Sequence, residues 1–151
     1  MADFLSGNGP WSQLLTYHNI FAAIMEDGEP EQLADGVSVT PFLVPHRQEF
    51  SEVVGFHIQG PEKSALYLPD IDSWEKWDAE GTRIEDRIAG VDYAYLDATF
   101  FSGDELPGRD MSKVPHPTVS HSMARFEPLS AQEKAKVHFI HMNHTNPLHN
   151  P

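Results

Sequence analysis

The sequence predicts a single α/β layered domain. Two observations carry that expectation. Short apolar runs in the second half alternate with segments of helical spacing, and the first half pairs its runs in hairpin fashion around Gly-Pro turns. A third observation bears on chemistry: three later runs end near Asp70, Asp97 and His141. The 151 residues, 40% of them hydrophobic, suffice for one core, and no repeat or long linker divides the chain.

Taken in order, Asn8-Gly-Pro10 turns into a short helix with Pro10 in its first turn, where a missing N–H costs no hydrogen bond. Trp11, Leu14 and Leu15 share one face of it. Residues 19–25 are apolar enough for a strand, and Glu26-Asp-Gly-Glu-Pro30 is a turn. Residues 37–44 alternate as a strand does and stop at Pro45-His46. Residues 53–59 and 64–68 form a hairpin about Gly60-Pro61.

Residues 73–78 make a helical turn whose Trp74 and Trp77 suit packing better than a substrate platform. Residues 82–89 form a second short helix through Ile84 and Ile88, closed by Gly90. Residues 91–96 are the next strand. Residues 101–115, rich in Gly, Pro and Asp, form a surface loop. Residues 117–126 are a helix with Val119, Met123 and Phe126 on one face. Ser130-Ala-Gln-Glu133 is a capping box, and residues 137–141 are the last strand.

Charge and composition restrict function. With 23 acids against 10 bases the net charge is −13, which repels phosphate backbones and argues against nonspecific nucleic-acid binding. Cysteine is absent, so any metal must be held by His, Asp or Glu, a donor set that favours zinc, manganese or iron. The first residues lack the basic-then-apolar order of a signal peptide, and no apolar run is long enough to cross a membrane. A cytoplasmic location is expected.

Ligands in α/β sheets gather at strand ends, where loops diverge and side chains converge. Asp70, Asp97 and His141 repeat that position, and a carboxylate with an imidazole there would hold a divalent metal. An aspartate after a strand is more often a turn former or helix cap, and a lone histidine more often a solvated group. The three together make the case. In the tail Val137-His-Phe-Ile-His-Met-Asn-His-Thr-Asn-Pro147, His138 and His141 point to opposite faces and do not form one chelate. His141 is the ligand candidate. His144 and Asn143 lie beyond the strand, placed to touch substrate or orient a ligand, as Thr145 and Asn146 are. His116 follows the surface loop and suits a general acid; His46 is placed similarly after its strand.

These pieces resemble metallo-β-lactamase-fold hydrolases related to the pyrroloquinoline-quinone biosynthesis protein B. The matching stretches are Asn8-Gly-Pro-Trp-Ser-Gln-Leu14, Val44-Pro-His-Arg-Gln-Glu-Phe-Ser-Glu-Val-Val-Gly55, Leu66-Tyr-Leu-Pro-Asp-Ile-Asp72, Leu96-Asp-Ala-Thr-Phe100, Gly108-Arg-Asp-Met111 and Phe139-Ile-His-Met-Asn-His-Thr-Asn-Pro147. The resemblance implies an αββα sandwich with metals at one edge of its sheets. It implies that Asp70 is the metal-bridging aspartate and His141 the last histidine ligand. Asp97-Ala-Thr and His116-Pro-Thr resemble the Glu-Ala-Thr and His-Ser-Thr motifs of the tRNA 3′-processing branch, which implies an acid–histidine pair assisting proton transfer. Asp97 is one methylene shorter than that glutamate.

The His-x-His-x-Asp-His motif that supplies most of the family's ligands is absent. The chain is therefore read as one partial domain over residues 1–151, the C-terminal half of the sandwich. A half sandwich exposes a sheet face, so association between copies is expected. The functional expectation is a metal-dependent hydrolase of a small-molecule substrate using a divalent metal, zinc first. The alternatives are a non-hydrolytic accessory or binding protein of pyrroloquinoline-quinone-like cofactor biosynthesis, or an inactive fragment.

Overall fold

Strand order in space follows strand order in the chain, β1 to β6, in one six-stranded sheet of a computed structural model. The structure describes residues 2–49 and 51–149, so Phe50 of the Val44–Gly55 stretch lies outside the described residues. Two short helices, α1 (Ala2–Gly7) and α2 (Trp11–Thr16), precede β1 (Glu31–Ala34), β2 (Val37–Leu43), β3 (Val54–Gln59) and β4 (Ser64–Leu68). Then come α3 (Trp74–Ala79), α4 (Ile84–Ala89), β5 (Tyr93–Asp97), α5 (Val119–Phe126), α6 (Ala131–Lys134) and β6 (Val137–Ile140). β1 to β4 pair antiparallel, and β4, β5 and β6 run parallel. The α3–α4 and α5–α6 pairs are the crossovers that parallel pairing requires.

The helices are short and are held by their caps. Ser73 accepts from Lys76 N at 3.1 Å, and Thr118 accepts from His121 N at 3.2 Å. Ser130 and Glu133 complete the capping box expected of α6. Their apolar faces meet one side of the sheet. Phe42, Leu66, Leu68, Ala94 and Leu96 form a single buried cluster with Trp74, Trp77, Ile84, Ile88 and Phe126. Full burial of residues such as Leu66, Leu68, Ile84 and Ile88 contributes about 1.5–3 kcal/mol each. Trp74 Nε1 donates to the buried Ser122 hydroxyl at 2.9 Å and ties α3 to α5.

The alternate residues of the strands face the other way. Tyr67 and Tyr93 stay 40% and 41% exposed, which leaves that face of the sheet open. Among the described residues no helix is long and apolar enough to cross a membrane.

The structure corrects three local expectations. Residues 19–25 form no strand; Phe21 and Ile24 are exposed there, so the apolar run finds no partner. The edge strand is β1, whose polar Glu31-Gln-Leu-Ala34 is wholly exposed and gave no hydrophobic signal. Met123 is exposed, and Ser122 takes its place on the buried face of α5 with Val119 and Phe126. Gly90 closes α4 as expected, at φ −79.

Candidate metal centre

Strand direction explains how distant residues meet. β4, β5 and β6 are parallel, so residues following Leu68, Leu96 and Ile140 emerge at one edge. β2 and β4 are both antiparallel to β3, so β2 ends at that same edge and delivers His46.

Asp97, at the end of β5, is fully buried and saturated. Its Oδ1 accepts from Thr99 N at 2.8 Å and Thr99 Oγ1 at 2.7 Å. Its Oδ2 accepts from Ile71 N at 3.2 Å, and lies 2.9 Å from His116 Nδ1. An ionised carboxylate only accepts, so the Nδ1–H of His116 donates to it. Among the described residues no other hydrogen bond engages the ring, and Nε2 remains available to a metal or a proton. The sequence His116-Pro-Thr fixes this placement. Pro117 restricts the backbone, Thr118 caps α5, and Val119 N donates to Phe100 O at 2.9 Å, which joins the helix start to the loop after β5.

Asp70 differs from Asp97 in one decisive respect. Its Oδ2 lies 3.0 Å from His46 Nε2, but its Oδ1 is buried without a hydrogen bond. His116 Nδ1 is 3.5 Å from that oxygen, and its hydrogen is already directed at Asp97. His46 bridges onward through Nδ1 to Asp72 Oδ1 at 2.7 Å, and Lys76 Nζ closes on Asp72 Oδ2 at 2.5 Å. Asp72 had no assigned role in the sequence. Its position two residues after Asp70 and four before Lys76 is the signal that locates it.

His141 stands exposed just past β6 with φ 62. That left-handed backbone costs a non-glycine residue roughly 1–2 kcal/mol. Flanking hydrogen bonds offset it: Ala98 N donates to Ile140 O, and Asn143 N to Thr99 O, each at 2.9 Å. Its Nδ1 is 3.2 Å from Thr99 Oγ1. The Thr99 hydroxyl spends its hydrogen on Asp97, so it accepts from His141 Nδ1–H, and this tautomer leaves Nε2 with a lone pair. Hydrogen bonds therefore converge on Asp97 from His116 and, through Thr99, from His141. His144 Nδ1 lies 3.0 Å from Asn143 Oδ1, and Asn143 Nδ2 donates to Thr145 at 2.7 Å, so these groups hold the turn. Asn146 is buried, and its Nδ2 donates to Ala98 O at 2.7 Å.

Asp70, Asp97 and His116 each offer one ligand atom within 4.8 Å of the others. His141 is outside that group. Hard carboxylate oxygens with imidazole nitrogen suit a divalent ion such as zinc. The buried Oδ1 of Asp70, lacking any donor, is what such an ion would satisfy. Asp97, with its lone pairs engaged, is better placed to orient His116 than to bind metal directly.

The charges respond to one another. Burial works to lower the His116 pKa, but the Asp97 hydrogen bond and the negative charges of Asp97, Asp70 and Asp72 outweigh it and leave the pKa raised. Burial works to raise Asp72, and the hydrogen bonds and charges of Lys76 and His46 hold it below the ordinary carboxylate range.

The model of the beta-lactamase superfamily domain matches residues 5–142. Among solved structures, the chain is similar to zinc-bound PqqB from Methylobacterium extorquens, with TM-score 0.60 and 22% identity over 82% of this chain. It spans 46% of that chain, less than half its length. No curated protein matches it. The matched residues take in every strand and the whole edge where Asp70, Asp97 and His116 meet, and the chain belongs to the beta-lactamase superfamily.

Proposed function

We propose that this chain carries part of the centre of a metal-dependent hydrolase acting on a small-molecule substrate. The carrying observation is the buried Asp70 Oδ1 that no protein donor satisfies. Asp70 would hold a divalent ion through that oxygen, zinc before manganese or iron, and His141 would offer Nε2. Catalytic zinc generally needs three protein ligands; further ligands would come from the part of the superfamily fold this chain does not span. The ion would supply Lewis acidity and a more acidic water.

The chain's own residues supply the proton handling. Asp97 fixes the His116 tautomer, and Nε2 of His116 is the atom that gives or takes a proton beside the reacting group. The raised pKa keeps a proton on that ring to higher pH, which suits a general acid.

The test is hydrolysis by the complete protein. Chelation should abolish it, added zinc should restore it, and His116→Ala should lower turnover about 10²–10⁴-fold with metal content unchanged. A second reading is a non-hydrolytic accessory or binding protein of pyrroloquinoline-quinone-like cofactor biosynthesis. The small ligand set supports it, since among the described residues only Asp70, Asp97 and His116 come within reach of one ion. Metal retention without hydrolysis would favour that reading.

A further inference from the structure

The chain has ten Lys and Arg residues, and eight of them are engaged. Lys63, Lys76, Arg83, Lys113, Arg125 and Lys134 each pair with a carboxylate. Lys136 Nζ donates to Ile88 O and Ala89 O, each at 3.1 Å. Arg87 lies over the Phe42 ring, 4.7 Å from its centroid. Arg47 and Arg109 remain. Neither side chain has a hydrogen bond, ion pair or ring contact among the described residues. They come from separate loops, yet both line one cavity of about 260 Å³ with His46, Thr99 and His116.

In a chain with 23 Asp and Glu residues, two guanidinium groups that pair with no carboxylate among the described residues and share a cavity are free for a ligand. Guanidinium presents a planar fork of N–H donors that matches the paired oxygens of a carboxylate or phosphate. A net charge of −13 repels anions at long range, so capture of one requires such a local positive site. Another cavity beside His116 is lined by Asp72 and Glu75 with Lys76, and its acids disfavour an anion.

We propose that the Arg47–Arg109 cavity is an oxyanion subsite. It would take the carboxylate or phosphate group of a substrate whose reactive end lies against Asp70 and His116. The substrate assignment rests on the hydrolase reading; the anion site itself rests on the arginines. It also gives a role to Arg109 of Gly108-Arg-Asp-Met111, a stretch the metal centre does not use.

The experiment is calorimetric titration of the metal-free full chain with inorganic phosphate and with succinate, so that a metal cannot bind the anion. At least one should bind, and Arg47→Gln with Arg109→Gln should weaken it about tenfold or more. Circular dichroism of the double variant should match wild type, because both side chains are exposed. Tighter phosphate binding would indicate a phosphate ester, and tighter succinate binding a carboxylic acid. Absence of millimolar binding by either anion, or equal binding by the double variant, would overturn the subsite. Zinc content measured in parallel separates the two readings. Anion binding that needs the arginines, with no zinc taken up by the complete protein, would sink the metal reading alone.

Discussion

His116 donates through Nδ1 to Asp97 Oδ2 at 2.9 Å, and the same carboxylate oxygen takes the Ile71 amide that follows Asp70. One buried acid thus sets the imidazole tautomer and holds the loop carrying the carboxylate with the open oxygen. Thr99 completes it by donating twice to Oδ1.

This pair has a measurable signature in the metal-free protein. The His116 pKa should lie above its ordinary 6.5 in an NMR titration. Burial pulls it down, but the Asp97 hydrogen bond and nearby carboxylates prevail, so Asp97→Asn should lower it. The resulting stability is complete below a pH of about 6.5 and is lost as pH rises through the raised value. An unchanged titration in Asp97→Asn would contradict the assignment.

Acid sensitivity should come from a different cluster. Arg125 donates to both oxygens of Glu85, at 2.7 and 2.9 Å, and to Asp78 at 2.8 Å. Burial works to raise the Glu85 pKa, but the Arg125 hydrogen bond and charge hold it below the ordinary range. For Asp78 the Arg125 hydrogen bond is the main cause of the same lowering. Stability from these acids is present above their unfolded values of about 4–4.5 and lost as pH falls through the lowered ones. Arg125→Ala should cost roughly 1–3 kcal/mol in urea unfolding at neutral pH, because it leaves the poorly solvated Glu85 with Arg83 alone, 3.5 Å away. Glu85→Gln should flatten the acid limb of the stability curve.

Gly55 tests the packing of the covered sheet face. A Cβ there would sit 2.5 Å from two atoms of the Phe42 ring and 3.1 Å from Leu68 Cδ1. The Phe42 ring cannot yield easily, since it stacks on Trp77 at 5.7 Å and lies beneath Arg87. Gly55→Ala should therefore destabilise by about 1–3 kcal/mol, measured by chemical denaturation. A neutral result would mean that the core is looser than these contacts require.

Much of this was legible in the residues, for identifiable reasons. The strands β2 to β6 carry their own alternation or apolar run, and the strand-end rule picked out Asp70, Asp97 and His141 without reference to contacts. The resemblance then implied the Asp97–His116 pair, which the structure places in hydrogen-bond contact. What did not show was pairing. β1 is polar and exposed, while residues 19–25 are apolar and form no strand, because local composition is silent about which segment finds a partner. His46 joins Asp70 and Asp72 only because β2 runs in the same direction as β4, a relation fixed by hydrogen bonding between strands. Asn146, read as a group that orients a ligand, instead satisfies a buried backbone carbonyl.

That last role is open to test. Asn146 donates to Ala98 O and accepts from Leu148 N at 3.0 Å, and so joins the turn after β6 to the loop after β5. Asn146→Ala should cost about 1–3 kcal/mol through the unpaired buried carbonyl. It should also raise hydrogen exchange at the Asn143 and Ala98 amides. Stability equal to wild type would show that the turn is held elsewhere.

The central claim is that the open oxygen of Asp70 belongs to a metal. Anomalous diffraction from crystals of the complete protein grown with zinc tests it most directly. The account predicts a peak about 2.0–2.2 Å from Asp70 Oδ1, as zinc–carboxylate bonds require, and its disappearance in Asp70→Asn. A zinc peak away from Asp70, or one that persists undiminished in the variant, would contradict it.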